Sequence, residues 1–144
     1  MNWAKVRLAV AALLFFGWLG YLGYAALSKS RGPVVSRAQA AAAQVVVVAA
    51  VAGEEKPGGT ATVTESLKDG PAVGTVLEVV NLPECNGWAG AGEYLMYLER
   101  VTPGEKFRVV GQQRSPGYDI GGVGKSMIYR WSPDVKAQAA KLLP

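Results

Sequence analysis

Twenty consecutive residues, Leu8 to Leu27 (LAVAALLFFGWLGYLGYAAL), carry no charge. As a helix, a run of that length reaches about 30 Å, the thickness of a bilayer's hydrocarbon core. Trp3 stands near one end and Tyr21 and Tyr24 near the other, where interfacial aromatics belong. Lys5 and Arg7 precede the run, and Lys29 and Arg31 follow it. A soluble core helix rarely carries such charged brackets, so the run predicts one transmembrane helix with the bilayer as its partner. A cleaved signal peptide is the alternative. Its best small-x-small site, Gly23-Tyr24-Ala25, lies inside the apolar run, and the run is long for a signal sequence.

Basic residues flank the span on both sides, so their distribution does not set its orientation. A short N-terminus before a first helix favours a cytoplasmic start, which places the remaining chain on the extracytoplasmic, periplasmic-type side. Within the span Gly17, Gly20 and Gly23 recur every third residue, a candidate helix–helix contact face.

The net charge of +4 looks like a nucleic-acid signal until it is divided along the chain. Residues 1–31 hold four basic residues and no acid, which leaves eleven basic and eleven acidic residues for the rest. The membrane flanks carry the whole excess. The remaining domain lacks the basic footprint that nucleic-acid binding needs.

Organisation follows from turn signals. The expected order is a basic tail at 1–7, the span at 8–27, a linker at 28–35, a β-domain at 36–131 and a C-terminal helix at 132–144. Gly32-Pro33 breaks the linker, and Ser36 reads as the N-cap of an Ala-rich helix, Arg37 to Ala43. Gln44 to Ala52 has four successive valines and is apolar on both faces, as a central strand would be. Thr60 to Lys68 alternates, with Ala61, Val63 and Leu67 on one face and Glu65 breaking the pattern. Thr75 to Leu82, Tyr94 to Val101 and Lys106 to Val110 give three more strands between Gly/Pro turns, and Met127 to Trp131 a last short one. Ser132-Pro133-Asp134 opens the final helix. Val46, Val48, Val63, Leu67, Leu95, Phe107 and Val109 are expected to share one apolar core. Five short strands so spaced imply a small antiparallel barrel.

Ala43 to Val51 (AQVVVVAAV) resembles the first strand of netrin-like domains and tissue inhibitors of metalloproteinases. Leu67-Lys68-Asp69-Gly70 is similar to the turn after their second strand, and Gly92-Glu93-Tyr94-Leu95 to the start of their fourth. The similarity covers residues 36–111 and implies a five-stranded OB-like barrel. In those inhibitors an N-terminal Cys chelates the protease zinc. Ser36-Arg37-Ala38-Gln39 has no Cys, so that mechanism does not transfer.

Gly121-Gly122-Val123-Gly124-Lys125-Ser126 resembles the phosphate-binding loop of ParA-type ATPases. Asp119 and Ile120 stand where that motif needs Gly or Lys, and the string comes too late in the chain to open an α/β domain. A glycine turn before a short strand is the reading adopted, without nucleotide or other cofactor. The chain has no His, the commonest general base and metal ligand. Lys125-Ser126 is the remaining catalytic pair, and neighbours on a strand point to opposite faces. No enzyme is therefore expected, and a Ser/Lys hydrolase ranks below an anchored binding or scaffold domain. Between them stands an inhibitor- or ligand-binding module.

The interaction candidates gather in Pro83 to Gly92 (PECNGWAGAG). Trp88 stands among glycines, either as a lid over the barrel end or as a partner-binding anchor. Asn86 and Gly87 lie beside it. Cys85, the only cysteine, cannot form an intrachain disulfide and is read as a small buried thiol.

Overall fold

The computed structural model describes residues 2–29, 33–102, 104–111 and 125–143. The chain divides into two units, one ending at Gly32 and the other beginning at Pro33.

The first unit is a single helix, α1 (Trp3–Lys29), which outruns the uncharged segment at both ends. Leu8, Leu13, Phe16 and Tyr24 all point outward, and the helix is long and apolar enough to cross a membrane. At its start the Arg7 guanidinium lies 5.7 Å from the centre of the Trp3 ring.

The second unit is built on six strands: β1 (Val45–Val51), β2 (Thr60–Lys68), β3 (Val76–Val79), β4 (Gly92–Val101), β5 (Lys106–Val109) and β6 (Tyr129–Arg130). Around the sheet the order is β1-β2-β3-β5-β4, and β4 pairs back to β1. Five strands therefore close into an OB-like barrel, with β6 appended to β4. All closing pairs are antiparallel except β3–β5, where Val79 sits opposite Phe107 in parallel register. The β1–β4 ladder runs unbroken from Val45↔Leu98 to Val51↔Gly92.

The expected single core is in fact two, and this corrects the residue set read from the sequence. Val63, Phe107 and Val109 do fill the barrel, with Val47, Ala49, Leu77, Tyr94, Met96 and Leu98. Val46, Val48 and Leu95 point the other way, into a second cluster on the outside of β1 and β4. There they are covered by Val35, by Ala40 of α2 (Arg37–Ala42), and by Val135 and Ala139 of α3 (Pro133–Leu142). Four valines in a row are thus apolar on both faces because both faces are buried, one by the barrel and one by helices.

Two bulges in β2 account for the irregular alternation there. Opposite β1 the register steps from Ser66 to Lys68 and from Val63 to Glu65, leaving Leu67 and Thr64 as extra residues. Each extra residue reverses which face the following side chains take. Glu65 is thereby set opposite Val48 on the outer row, and Leu67 packs with the second cluster. The Thr64 hydroxyl donates to the Val48 carbonyl, 3.2 Å away, across the bulge.

Buried polar groups stitch the helices to the barrel. Ser36 caps α2, its side chain accepting from the Gln39 amide. Gln39 is fully buried; its Nε2 donates to the carbonyls of Val110 (2.6 Å) and Met127 (3.2 Å). Its Oε1 accepts from the Tyr129 hydroxyl at 2.7 Å, which in turn accepts from the Ser36 amide at 3.0 Å. Gln138 of α3 clasps the strap ahead of α2, its Oε1 accepting from Val35 N and its Nε2 donating to the Pro33 carbonyl. The Tyr97 ring meets Tyr129 edge-on at 6.3 Å. Its buried hydroxyl has no hydrogen-bond partner among the described residues, and burial pushes its pKa up to about 12, with Tyr129 adding to the shift.

Candidate functional site

The connection between β3 and β4 brings Cys85, Asn86, Gly87 and Trp88 to the end of the barrel where β4 begins. Asn81 anchors its entry. The Asn81 side chain imitates a strand, accepting from Val109 N at 2.8 Å and donating to Val109 O at 3.0 Å. Pro83 then fits the first turn of a short 3₁₀ helix, Leu82–Glu84, whose Leu82 is fully buried in the barrel.

Cys85 follows, 8% exposed, its thiol donating to the Asn81 carbonyl at 3.2 Å. Burial, with Glu84 beside it, pushes the thiol pKa up to about 12 from 9.0. The unfolded chain therefore gives up this proton first as pH rises, and stability falls between about pH 9 and 12. Thiol labelling at pH 9 is expected to be slow in the native protein and fast in denaturant. Equal rates in the two states would contradict the buried placement.

Asn86 contributes its backbone. Its N–H donates to the Ser126 carbonyl and its carbonyl accepts from Ile128 N, both at 2.9 Å, a parallel bridge across to Met127. Gly87 follows with φ +91°, close against the Ile128 carbonyl. Trp88 is half-buried, packed on the barrel core and stacked on Tyr94 with ring centres 5.4 Å apart. Beyond it, the Tyr94 hydroxyl accepts from Ala89 N (2.9 Å) and donates to the Gly90 carbonyl (2.7 Å). Arg130 of β6 donates to the Ala89 carbonyl at 2.8 Å. The loop is therefore held from both sides, by segment 126–128 before the tryptophan and by Tyr94 and Arg130 after it.

The structure brings the four candidate loop residues together but gives them unequal parts. Cys85 and Gly87 serve packing and backbone path, Asn86 ties the backbone with an exposed side chain, and Trp88 presents part of its ring outward. Asn81, Tyr94 and Arg130, which hold the loop, are not among the site candidates read from the sequence. Asn immediately before Leu-Pro was the legible signal for the first, since Asn commonly bonds nearby backbone at turns. Tyr94 bonds back to Ala89 and Gly90, five and four residues earlier, whereas Arg130 meets the loop through the β4–β6 pairing, which has no local signal.

Gly121 to Gly124 lie outside the described residues. Lys125 and Ser126, with Asn81 and Glu84, border a polar hollow of about 330 Å³. The Ser126 hydroxyl donates to the Val109 carbonyl and accepts from Asn81 Nδ2, both at 2.9 Å. Both bonds tie it to β5 and to Asn81. Gly17, Gly20 and Gly23 lie on α1 with open space where a Cβ would stand.

Comparison with protein-family models, with curated proteins and with solved structures finds no match.

Proposed function

We propose that the chain is a membrane-anchored binding or scaffold domain, an accessory subunit that docks on another membrane or envelope protein. In this reading α1 spans the bilayer and the barrel stands on the extracytoplasmic side. Kinship with netrin-like domains belongs to the same proposal; in its favour are the motifs between residues 36 and 111 and a five-stranded closed barrel over those residues. The segment Ser36-Arg37-Ala38-Gln39, which corresponds to the inhibitors' zinc-chelating start, has no Cys, and its Ser36 caps a helix and is bonded to Tyr129, so inhibition by that route is not part of the proposal.

One observation carries the proposal: Trp88 is a large aromatic, half exposed, on a loop whose backbone is fixed on both sides. A rigid aromatic costs little side-chain entropy when a partner covers it, the property that makes Trp a frequent hot spot. Trp88→Ala in the full chain should weaken co-purification of a crosslinked membrane partner by about 2 kcal/mol or more. It should also cost some thermal stability, because half the ring is packed on Tyr94 and the core. Melting temperature and pulldown yield are measured on the same variant. Unchanged pulldown from a folded variant removes Trp88 from the interface, and a loss no larger than the loss of folded protein reduces it to a lid.

A further inference from the structure

The opposite end of the barrel holds a second feature, independent of the Trp88 loop. The inner row of β4 runs Tyr94, Met96, Leu98, all buried in the barrel. Arg100 is the next residue on that face, and its register partner is Phe107, which also points inward. An arginine thus stands where the inner row reaches the barrel mouth. It borders a cavity of about 430 Å³ floored by Leu77 and Phe107, within the usual range of small-ligand sites, which favour barrel mouths.

Two further facts define what this cavity can hold. Lys106, also in its wall, is neutralised by Glu78 at 2.7 Å. Arg100 forms no ion pair among the described residues, not even with Glu105 on the same rim. The wall also has an open strand edge. The Thr75 carbonyl and the Val79 N–H face β2, the first accepting from Val63 N and the second donating to the Gly59 carbonyl. By alternation Val76 turns its N–H and carbonyl the other way, where β5 begins only opposite Glu78. Among the described residues, an unpaired guanidinium, an apolar floor and one free peptide edge converge on one opening.

We infer that the barrel mouth binds a carboxylate borne on a short aliphatic body, with the carboxylate on Arg100 and the body over Leu77 and Phe107. A guanidinium pairs a carboxylate through two parallel N–H bonds. Such a group comes either from a free small acid or from the C-terminus of a chain, whose last peptide unit would use the free edge of Val76. The inference stands apart from the proposed role of Trp88, and Trp88→Ala should leave it unaltered.

The test uses the full chain in detergent micelles, titrated calorimetrically with hexanoate, with N-acetyl-Ala-Ala-Val, and with the C-terminal amide of that peptide. At least one acid is expected to saturate, and the amide to bind about tenfold more weakly than the peptide acid wherever the latter binds. Arg100→Gln should lower the affinity of the acid about tenfold (about 1.4 kcal/mol), while Arg108→Gln, which removes an exposed cation elsewhere on the barrel, should not. Hexanoate binding as tightly as the peptide identifies a free acid as the ligand, and binding of the peptide alone identifies a chain terminus. Absence of saturable binding by either acid, equal binding of peptide acid and amide, or parental affinity in Arg100→Gln overturns the inference. The acid–amide comparison is made on the unaltered protein and so does not depend on how any variant folds.

Discussion

Leu95→Asp is expected to unfold the barrel domain. Leu95 is fully buried, paired with Val48 on one side and Tyr129 on the other, beneath the helices of the second cluster. An aspartate there finds no cation in the cluster, and its desolvation costs several kcal/mol on top of the lost apolar burial. Domains of this size have about 5–15 kcal/mol in total, so the substitution removes most or all of it. Thr62→Asp is the informative comparison, because Thr62 also points outward from the barrel but is exposed to solvent. That change should stay within about 0.5 kcal/mol. Circular dichroism melting of both variants decides the matter. If Leu95→Asp melts with the parent, the outer faces of β1 and β4 are not covered by α2 and α3.

This contrast also locates where sequence reasoning succeeded and where it stopped. The strands, the Ser36 and Ser132 caps and the long apolar helix were legible because each rests on local chemistry: turn residues, β-branching, side-chain oxygens ahead of a helix, an uncharged run. The two-core arrangement was half legible. Apolar residues on both faces of β1 and β4 said that both faces are buried, but not that one face looks into a barrel and the other onto helices. Leu67 was placed with Val63 because strict alternation puts it there. The bulges at Thr64 and Leu67 break that alternation through pairing with β1, a partner some twenty residues away. The Trp88 loop was found from its composition, yet Asn81 and Arg130 hold it through long-range pairing, and Tyr94 through bonds to Ala89 and Gly90 that composition does not announce. Gln39 stayed invisible for the same reason: within an Ala-rich helix it reads as a solvated side chain, and only the packing of Val110, Met127 and Tyr129 around it makes it a buried junction.

Gly87→Ala should cost far more than Gly90→Ala, although the two glycines share the same backbone angle. Both have φ +91°, outside the range that L side chains readily adopt, so each substitution carries about 1–2 kcal/mol of backbone strain. They differ in what surrounds the added methyl. At Gly90 nothing lies within 4 Å. At Gly87 the methyl would run into the Ile128 carbonyl, which is backbone and cannot rotate aside. Relief requires segment 126–128 to move away from the loop, and the two 2.9 Å bonds that bind Asn86 to Ser126 and Ile128 go with it. Each bond contributes about 0.5–1.5 kcal/mol, which brings the expected loss at Gly87 to roughly 3 kcal/mol against 1–2 at Gly90. Since Ile128 belongs to the barrel core on which Trp88 packs, its displacement should also red-shift the Trp88 emission in the Gly87 variant and not in the Gly90 variant. Thermal melts and emission spectra of the two variants are measured side by side. Equal losses would show that strain at φ +91° is all that either glycine relieves, and Gly87 would return to the list of residues free to meet a partner. A large difference assigns Gly87 to holding the loop, and leaves Trp88, with the exposed side of Asn86, as the part of the loop available for contact.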